Sequence, residues 1–361
     1  MRYNTPMASD YAALLKKYIT VLQHEGGSDL HFSAGSHPTI RVSGSLAPML
    51  KEDVLVPEDT LGFSKVLMTE EQEKHFLAEH EMDFAYQTPD GTRFRGNAFY
   101  ERGNISIALR LIPKRVKTIT ELSLPDVLLS FARKNQGFFL VVGPVGQGKT
   151  TTLAALVETI NTERMEHIVT IEDPIEYIFE PKQSLIDQRE VKLDTKDFAT
   201  ALVSAFRQDV DVILVGEMRD PETMAAAVTA AETGHLVLST LHTNNAAQTI
   251  DRIIDTFPGS QQDQIRVQLA ASLAGIFSQR LIPRVSGGLI PAYELLINNK
   301  AVANLIREKR THEINTIIET GSTEGMIDMN RSLAELVARG EITVENAYQY
   351  SLNPNVLQKL L

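Results

Sequence analysis

The chain has 361 residues, of which 43% are hydrophobic and 22% charged, and its formal net charge is −11. That composition is typical of a globular protein of about two domains, so it excludes the disordered and fibrous classes. The absence of cysteine excludes a disulfide scaffold, a thiol nucleophile and a cysteine-ligated metal site, and the acidic balance gives no long-range attraction to nucleic acid.

The amino terminus gives no sign of a membrane segment. Residues 1–10 lack the apolar core of a signal peptide, and no window of the chain approaches the roughly 18 consecutive apolar residues that cross a bilayer. We therefore expect a cytoplasmic protein that associates with a membrane only peripherally, through partners.

The first third of the chain predicts a small mixed α and β domain over residues 1–111. Apolar residues at helical spacing predict a helix over 11–22, and a mostly helical stretch ends near residue 80. Alternating polar and apolar residues predict strands at 29–32, 39–42, 82–87, 92–100 and 105–111. Turn sequences separate the last three strands, which indicates a meander.

Residues 112–125 predict a linker, because they contain prolines and no amphipathic period long enough for a helix or strand. The second predicted domain, 126–361, alternates helices with short apolar strands at 138–142, 167–171, 210–215 and 235–241. Strands that are apolar on both faces indicate a parallel sheet covered by helices. From residue 261 the pattern is mainly helical, with an interruption at 287–296 and C-terminal helices over about 297–361.

The strongest signal is a phosphate-binding loop between the 138–142 strand and a predicted helix over 151–160. The sequence G-P-V-G-Q-G-K-T at 143–150 matches G-x-x-x-x-G-K-[ST] in the required context. Backbone N–H groups and Lys149 would hold phosphates, and Thr150 would hold Mg²⁺. The alternative is a glycine-rich turn with an incidental lysine. The predicted nucleotide-binding residues are Gly143, Pro144, Val145, Gly146, Gln147, Gly148, Lys149, Thr150 and Thr151.

Two acidic segments follow apolar strands, where hydrolysis would need a carboxylate to handle water and metal. Glu217 follows the 210–215 strand and is the first catalytic candidate, although Gly216 stands where an aspartate is usual. Residues 171–176 place further carboxylates, including Glu176, at the same expected edge of the sheet. A helix-capping glutamate and solvated loop charges are the respective alternatives.

Two histidines bracket the 235–241 strand. A strand end beside the phosphate loop is where a γ-phosphate sensor would lie, so His235 and His242 are candidates. Taken alone, a histidine at such a position is more often a structural strand-end residue. No histidines have the spacing of metal ligands.

Together, four motifs resemble the secretion-ATPase superfamily of type II secretion and type IV pili, and in particular its pilus retraction motors. They are the phosphate loop and residues 171–176, 215–220 and 231–243. The resemblance extends over nearly the whole chain through residues 28–31, 94–99, 188–191 and 249–252. It implies an α/β chain in which an N-terminal PAS-like α+β domain precedes a RecA-like P-loop ATPase domain with a helical C-terminal part.

The resemblance also implies roles for particular residues. Lys149 and Thr150 would bind phosphate and Mg²⁺, Glu176 would be the general base, and Glu217 would be the Walker-B carboxylate. His242, with His235 nearby, would occupy the family's His box. Arg95, Arg110 and Arg252 match arginines that reach the γ-phosphate, including from a neighbouring subunit. Salt bridges within their own domain are the alternative for these arginines.

Two departures from the family pattern stand out. Gln147 occupies a position that is usually serine or alanine, and residues 301–308 match only part of a segment tied to retraction, with Ala303 in place of an arginine. Extension and secretion ATPases usually have a long N-terminal region and a four-cysteine zinc insert, and this sequence has neither. A retraction-type motor is therefore favoured over an assembly ATPase.

These inferences predict an ATP-hydrolysing homo-hexamer that uses ATP and Mg²⁺. It would drive pilus retraction and twitching motility through an inner-membrane platform protein, at the cytoplasmic face of that membrane, with domain rotation about the linker. One alternative is an accessory pilus or secretion ATPase of the same superfamily. Another is a nucleotide-binding structural ring with little turnover. A nucleic-acid translocase is disfavoured by net charge and by the absence of tryptophan.

Overall fold

The computed structural model describes residues 8–42, 44–113 and 115–361. Most of the 1–10 stretch, for which the sequence predicts no signal peptide, lies outside the described residues. The chain divides into two compact units, Met1–Arg115 and Val116–Leu361. Within the described residues, no helix combines the length and apolar character needed to cross a membrane. The boundaries 1–111, 112–125 and 126–361 stay a prediction, and two residues of the predicted linker, Ile119 and Leu124, are buried in a core of the second unit.

The first unit contains a six-stranded antiparallel sheet in the order β3-β2-β1-β6-β5-β4. The five strands and the first helix that the sequence predicts in this unit are confirmed. The elements are α1 (Ala8–His24), β1 (Asp29–Ser33), β2 (Thr39–Val42), β3 (Ser45–Pro48), α2 (Pro57–Leu67), α3 (Glu70–Glu79), β4 (Glu81–Gln87), β5 (Arg93–Glu101) and β6 (Asn104–Ile112).

Aromatic packing joins the helices of the first unit to its sheet. Phe32 of β1 and Phe63 of α2 are fully buried and stacked, with ring centroids 4.4 Å apart. Helix α3 is capped by Thr69, whose hydroxyl accepts the N–H of Gln72 in a capping box. The sequence did not predict β3, because all four of its residues are exposed and leave no alternation of burial.

The second unit contains a seven-stranded sheet in the order β13-β12-β7-β11-β10-β8-β9. Only the β12–β13 pair is antiparallel, and every residue of the neighbouring strands β7, β11 and β10 is buried. The strands are β7 (Gly137–Val142), β8 (His167–Glu172), β9 (Leu185–Glu190), β10 (Val212–Val215), β11 (Leu236–Leu241), β12 (Leu273–Pro283) and β13 (Leu289–Ile297). Helices cover both faces of this sheet, as its apolar strands predict.

The covering helices are α4 (Val127–Ala132), α5 (Lys149–Glu163), α6 (Phe198–Ala205), α7 (Pro221–Glu232), α8 (Ala246–Asp255), α9 (Gly259–Ser272), α10 (Lys300–Arg307) and α11 (Ile314–Thr320). A C-terminal layer of α12 (Met329–Ala338), α13 (Val344–Tyr350) and α14 (Pro354–Leu360) packs on β12 and β13 around its own small core. Helices α10 to α14 lie within the C-terminal helical stretch predicted over about 297–361.

Two strands differ from the sequence prediction. The mainly helical pattern predicted after residue 261 is wrong for β12 (Leu273–Pro283), which is buried between β7 and β13 (Leu289–Ile297). A strand covered on both faces shows no alternation, so its apolar residues resembled a helix. The edge strand β9 was missed because most of its residues are polar and only Glu190 is buried.

Candidate nucleotide site

The phosphate loop lies where the sequence places it, between the end of β7 and the first turn of α5. Gly146 and Gly148 have φ angles of 78° and 76°, which let the loop turn back on itself. At Gly143, a Cβ atom would lie 2.6 Å from the carbonyl oxygen of Gln279 on β12, so the backbone approach there requires glycine. The loop is therefore packed against β12.

Lys149 is buried at the centre of this loop. Its Nζ atom donates to the carbonyl oxygens of Gly143 and Pro144 at 2.9 Å each and lies 3.3 Å from Nδ1 of His242. Burial, together with the nearby Arg280 cation, lowers the pKa of Lys149 to about 8, against the opposing effect of the Glu217 and Glu176 carboxylates. A desolvated cation in this position gains strongly from an incoming phosphate.

His242 and Glu217 complete a contiguous polar cluster with Lys149. The Nε2 atom of His242 lies 3.8 Å from Oε2 of Glu217, and the other carboxylate oxygen of Glu217 lies 2.6 Å from Nη2 of Arg219. Burial and the charge of Lys149 lower the pKa of His242, so its neutral imidazole predominates at neutral pH. The structure thus brings together three of the residues that the sequence singled out.

The segment that follows β8 supplies two further carboxyl groups. Glu176 lies close enough to raise the pKa of Lys149. Glu172 is buried and accepts hydrogen bonds from the Thr170 hydroxyl at 2.8 Å and from the Glu176 N–H at 3.3 Å. Burial raises the pKa of Glu172 to about 7. The buried carboxyl group therefore fixes the backbone of the predicted general base.

Strand β12 contributes polar groups that the sequence interpretation missed. Arg280 is buried and donates through Nη2 to the backbone oxygen and the Oδ1 atom of Asn244, at 3.2 and 3.0 Å. Glu294 on β13 accepts the N–H of Ala246 at 2.8 Å. These contacts anchor the segment that follows His242. The signal in the sequence was the polar Gln279–Arg280 pair inside an apolar run, which the helical interpretation of that region concealed.

The structure corrects the predicted location of His235. This residue precedes β11, whereas His242 follows it, and the six paired residues of β11 place the two histidines at opposite edges of the sheet, about 20 Å apart. The imidazole of His235 contacts the carbonyl oxygen of Ala230 at 3.0 Å. The prediction that His235 lies near His242 beside the phosphate loop is wrong.

The three candidate arginines lie on different elements. Arg95 of β5 is paired with Arg110 of β6 in the first unit, and Nε of Arg110 lies 2.9 Å from Oδ1 of Asp29. Arg252 is exposed on α8 of the second unit. The salt-bridge alternative therefore has a specific partner for Arg110. Contact of these arginines with a γ-phosphate stays a prediction.

The oxygen ligands beside the loop fit Mg²⁺. Thr150 is the second residue of α5, and the carboxylates of Glu217 and Glu176 lie within electrostatic reach of Lys149. Mg²⁺ prefers oxygen ligands and retains several waters, so few protein ligands suffice. The described ranges contain no cluster of three or more histidine, aspartate or glutamate side chains that could hold a metal ion.

The parallel sheet, the phosphate loop and the buried lysine define a P-loop protein with an ATPase fold. A family model described as "Type II/IV secretion system protein" matches residues 10–353, and the chain belongs to this family. It is 43% identical over 330 residues to the "Type IV pilus retractation ATPase PilT" of Pseudomonas aeruginosa, covering 91% of this chain and 96% of that protein.

Two further comparisons agree with this assignment. The chain is 39% identical over 347 residues to the "Type IV pilus ATPase PilU" of the same organism, covering 96% of this chain and 91% of that one. A crystal structure of the pilus retraction motor PilT with bound ADP matches with a TM-score of 0.88 and 44% identity, covering 94% of this chain and 98% of that chain.

Proposed function

We propose that this chain is an ATP-hydrolysing motor that powers type IV pilus retraction. The observation that carries the proposal is the Lys149–His242–Glu217 cluster beside an intact phosphate loop. It occurs in a chain that is 44% identical to an ADP-bound retraction motor over nearly the whole length of both.

Hydrolysis of ATP needs a positioned water and stabilisation of charge on the transferred phosphoryl group. Lys149 would leave the loop carbonyls and bind the β- and γ-phosphates. Glu176 would accept a proton from the attacking water, and Glu217 would orient that water together with His242. Mg²⁺, held by Thr150 and the phosphates, would neutralise part of the phosphate charge.

The remaining parts of the proposal concern assembly. The protein works as a homo-hexamer at the cytoplasmic face of the inner membrane and acts through a platform protein there. Arg95, Arg110 and Arg252 stabilise γ-phosphate charge, at least one of them from a neighbouring subunit, a contribution of roughly 10³–10⁵ in rate in other nucleotide hydrolases. The first unit is a PAS-like module, which its antiparallel sheet and three helices support.

The test is Mg²⁺-dependent phosphate release measured against protein concentration. We expect specific activity to rise with concentration, because neighbouring subunits complete the site. Glu217→Gln should bind ATP but lose at least about 10²-fold in turnover. Glu222→Gln is a matched control, because Glu222 is exposed on α7 and should behave like the wild type. Equal turnover in the two variants would contradict the assignment of Glu217.

Similarity to PilU supports a second candidate, an accessory pilus ATPase. Deleting the gene distinguishes the two. We expect deletion to abolish twitching motility if this chain is the retraction motor, and to leave it intact if another retraction ATPase can act without this chain. A strain that twitches normally after deletion would favour the accessory function. A ring that binds nucleotide without turnover would instead give no phosphate release at any protein concentration.

A further inference from the structure

Gln147, in the middle of the phosphate loop, is bonded to strand β12. Its side-chain oxygen Oε1 accepts the N–H of Leu281 at 2.7 Å, and its backbone oxygen accepts Nε2 of Gln279 at 2.8 Å. The pairing of β7 with β12 ends at Val142 and Ser278, because the chain then leaves the sheet to form the loop. The Gln147 side chain therefore supplies to Leu281 the acceptor that a neighbouring strand would otherwise provide.

Gln279 extends this connection into helix α5. It is only 3% exposed, and its Oε1 atom accepts the hydroxyl of Thr152 at 2.7 Å. A Cβ atom on Gly148 would lie 3.1 Å from Nε2 of Gln279, so the loop and this amide are in close contact. We call Gln147, Gln279, Leu281 and Thr152 the glutamine clamp. It joins the loop, the helix that follows it and β12 through three hydrogen bonds.

We propose that the glutamine clamp holds the phosphate loop in its binding conformation before nucleotide arrives, and thereby sets nucleotide affinity. Gln147 is then a positioning residue rather than a catalytic one. This inference rests on the proposed nucleotide site and concerns its affinity.

The physical reason is the flexibility of the loop. Three glycines within six residues give it many backbone conformations, and only those that direct several N–H groups at one point bind phosphate well. When only a fraction of molecules is competent to bind, the apparent affinity falls by that fraction. A hydrogen bond that favours the competent conformation therefore strengthens binding without touching the nucleotide.

The test compares Mg–ADP binding to the full-length protein and to Gln147→Met, measured by calorimetry. Methionine has a similar length, and its thioether sulfur is only a weak acceptor for the Leu281 N–H. We expect the dissociation constant to rise about tenfold, the effect of one lost buried hydrogen bond. Hydrogen exchange at the Leu281 amide should accelerate, and the KM for ATP should rise more than kcat falls. Gln208→Met is the control, because Gln208 is exposed and its side chain donates to the Ser204 hydroxyl one turn away.

A second variant separates the hydrogen bond from general damage. Gln147→Glu keeps an oxygen that can accept the Leu281 N–H, so exchange at that amide should stay slow. If Gln147→Met does not fold, Gln147→Ser, which is too short to reach Leu281, replaces it in the same measurements.

Two results would overturn the proposal. One is binding by the methionine variant within twofold of the wild type, and the other is unchanged exchange at Leu281. Failure of the wild type itself to bind Mg–ADP would instead contradict the proposed function. The two failures are therefore distinguishable.

Discussion

The protonation of Lys149 should control nucleotide affinity between pH 7 and 9. Burial and the Arg280 cation hold the pKa of Lys149 near 8 in the protein without nucleotide. Bound phosphates favour the charged ammonium and raise this pKa. Nucleotide binding is therefore accompanied by proton uptake at Lys149, and this uptake increases as pH rises toward 9. Affinity is therefore greatest below pH 8 and decreases above it.

The magnitude follows from the titration curve. With a pKa of about 8, about a tenth of the molecules have neutral Lys149 at pH 7, about half at pH 8 and about nine tenths at pH 9. Proton uptake on binding should follow the same fractions. The dissociation constant for ADP should rise about tenfold from pH 7 to pH 9, because neutral molecules must first be protonated.

Other groups contribute little at the upper end of this range, because burial raises the pKa of Glu172 and Glu294 only to about 7. Burial and Lys149 lower the pKa of His242, so the imidazole is already neutral. The phosphates of ADP, with a second pKa of about 6, are already ionised. A proton taken up at pH 8 to 9 is therefore assigned to Lys149.

Calorimetry in buffers of different ionisation enthalpy measures both the dissociation constant and the proton uptake. Lys149→Arg is the matched variant, because arginine stays charged throughout the range. Its affinity, whatever its absolute value, should vary little with pH. Wild-type proton uptake near zero at pH 8 and 9, or the same pH dependence in both proteins, would refute the reasoning.

Two further predictions concern stability and the histidines. Burial raises the pKa of Glu294 to about 7 from its ordinary 4.5, so the folded state binds more protons than the unfolded state between these two pH values. The free energy of unfolding therefore falls by about 3 kcal/mol as pH rises through this interval. In urea titrations between pH 5 and 8, the free energy of unfolding of Glu294→Gln should fall correspondingly less than that of the wild type. The same pH dependence in the two proteins would contradict this. His242→Gln should lower ATP turnover at least about tenfold, while the turnover of His235→Gln should stay within about twofold of the wild type. Equal losses in the two variants would show that His235 also acts in the site.

The sequence by itself determined the parts of the protein that depend on local pattern. Strands buried on both faces are mostly apolar, so β7, β8, β10 and β11 were predictable as a parallel sheet. The phosphate loop was predictable because its glycines, its lysine and its position between a strand and a helix must occur in one continuous segment. Glu217 and His242 followed, because parallel strands end at a common edge.

Tertiary structure decided what depends on neighbours distant in sequence. β12 resembles a helix in composition and becomes a strand because β7 and β13 pair with it on both sides. That pairing brings Gln279 and Arg280 to the loop, more than 130 residues after Gln147 in the chain. His235 and His242 are close in sequence and far apart in space because the extended strand between them crosses the sheet. The local sequence pattern indicates which residues are buried and where the chain turns. The partners of a buried polar side chain are fixed only when the sheet assembles.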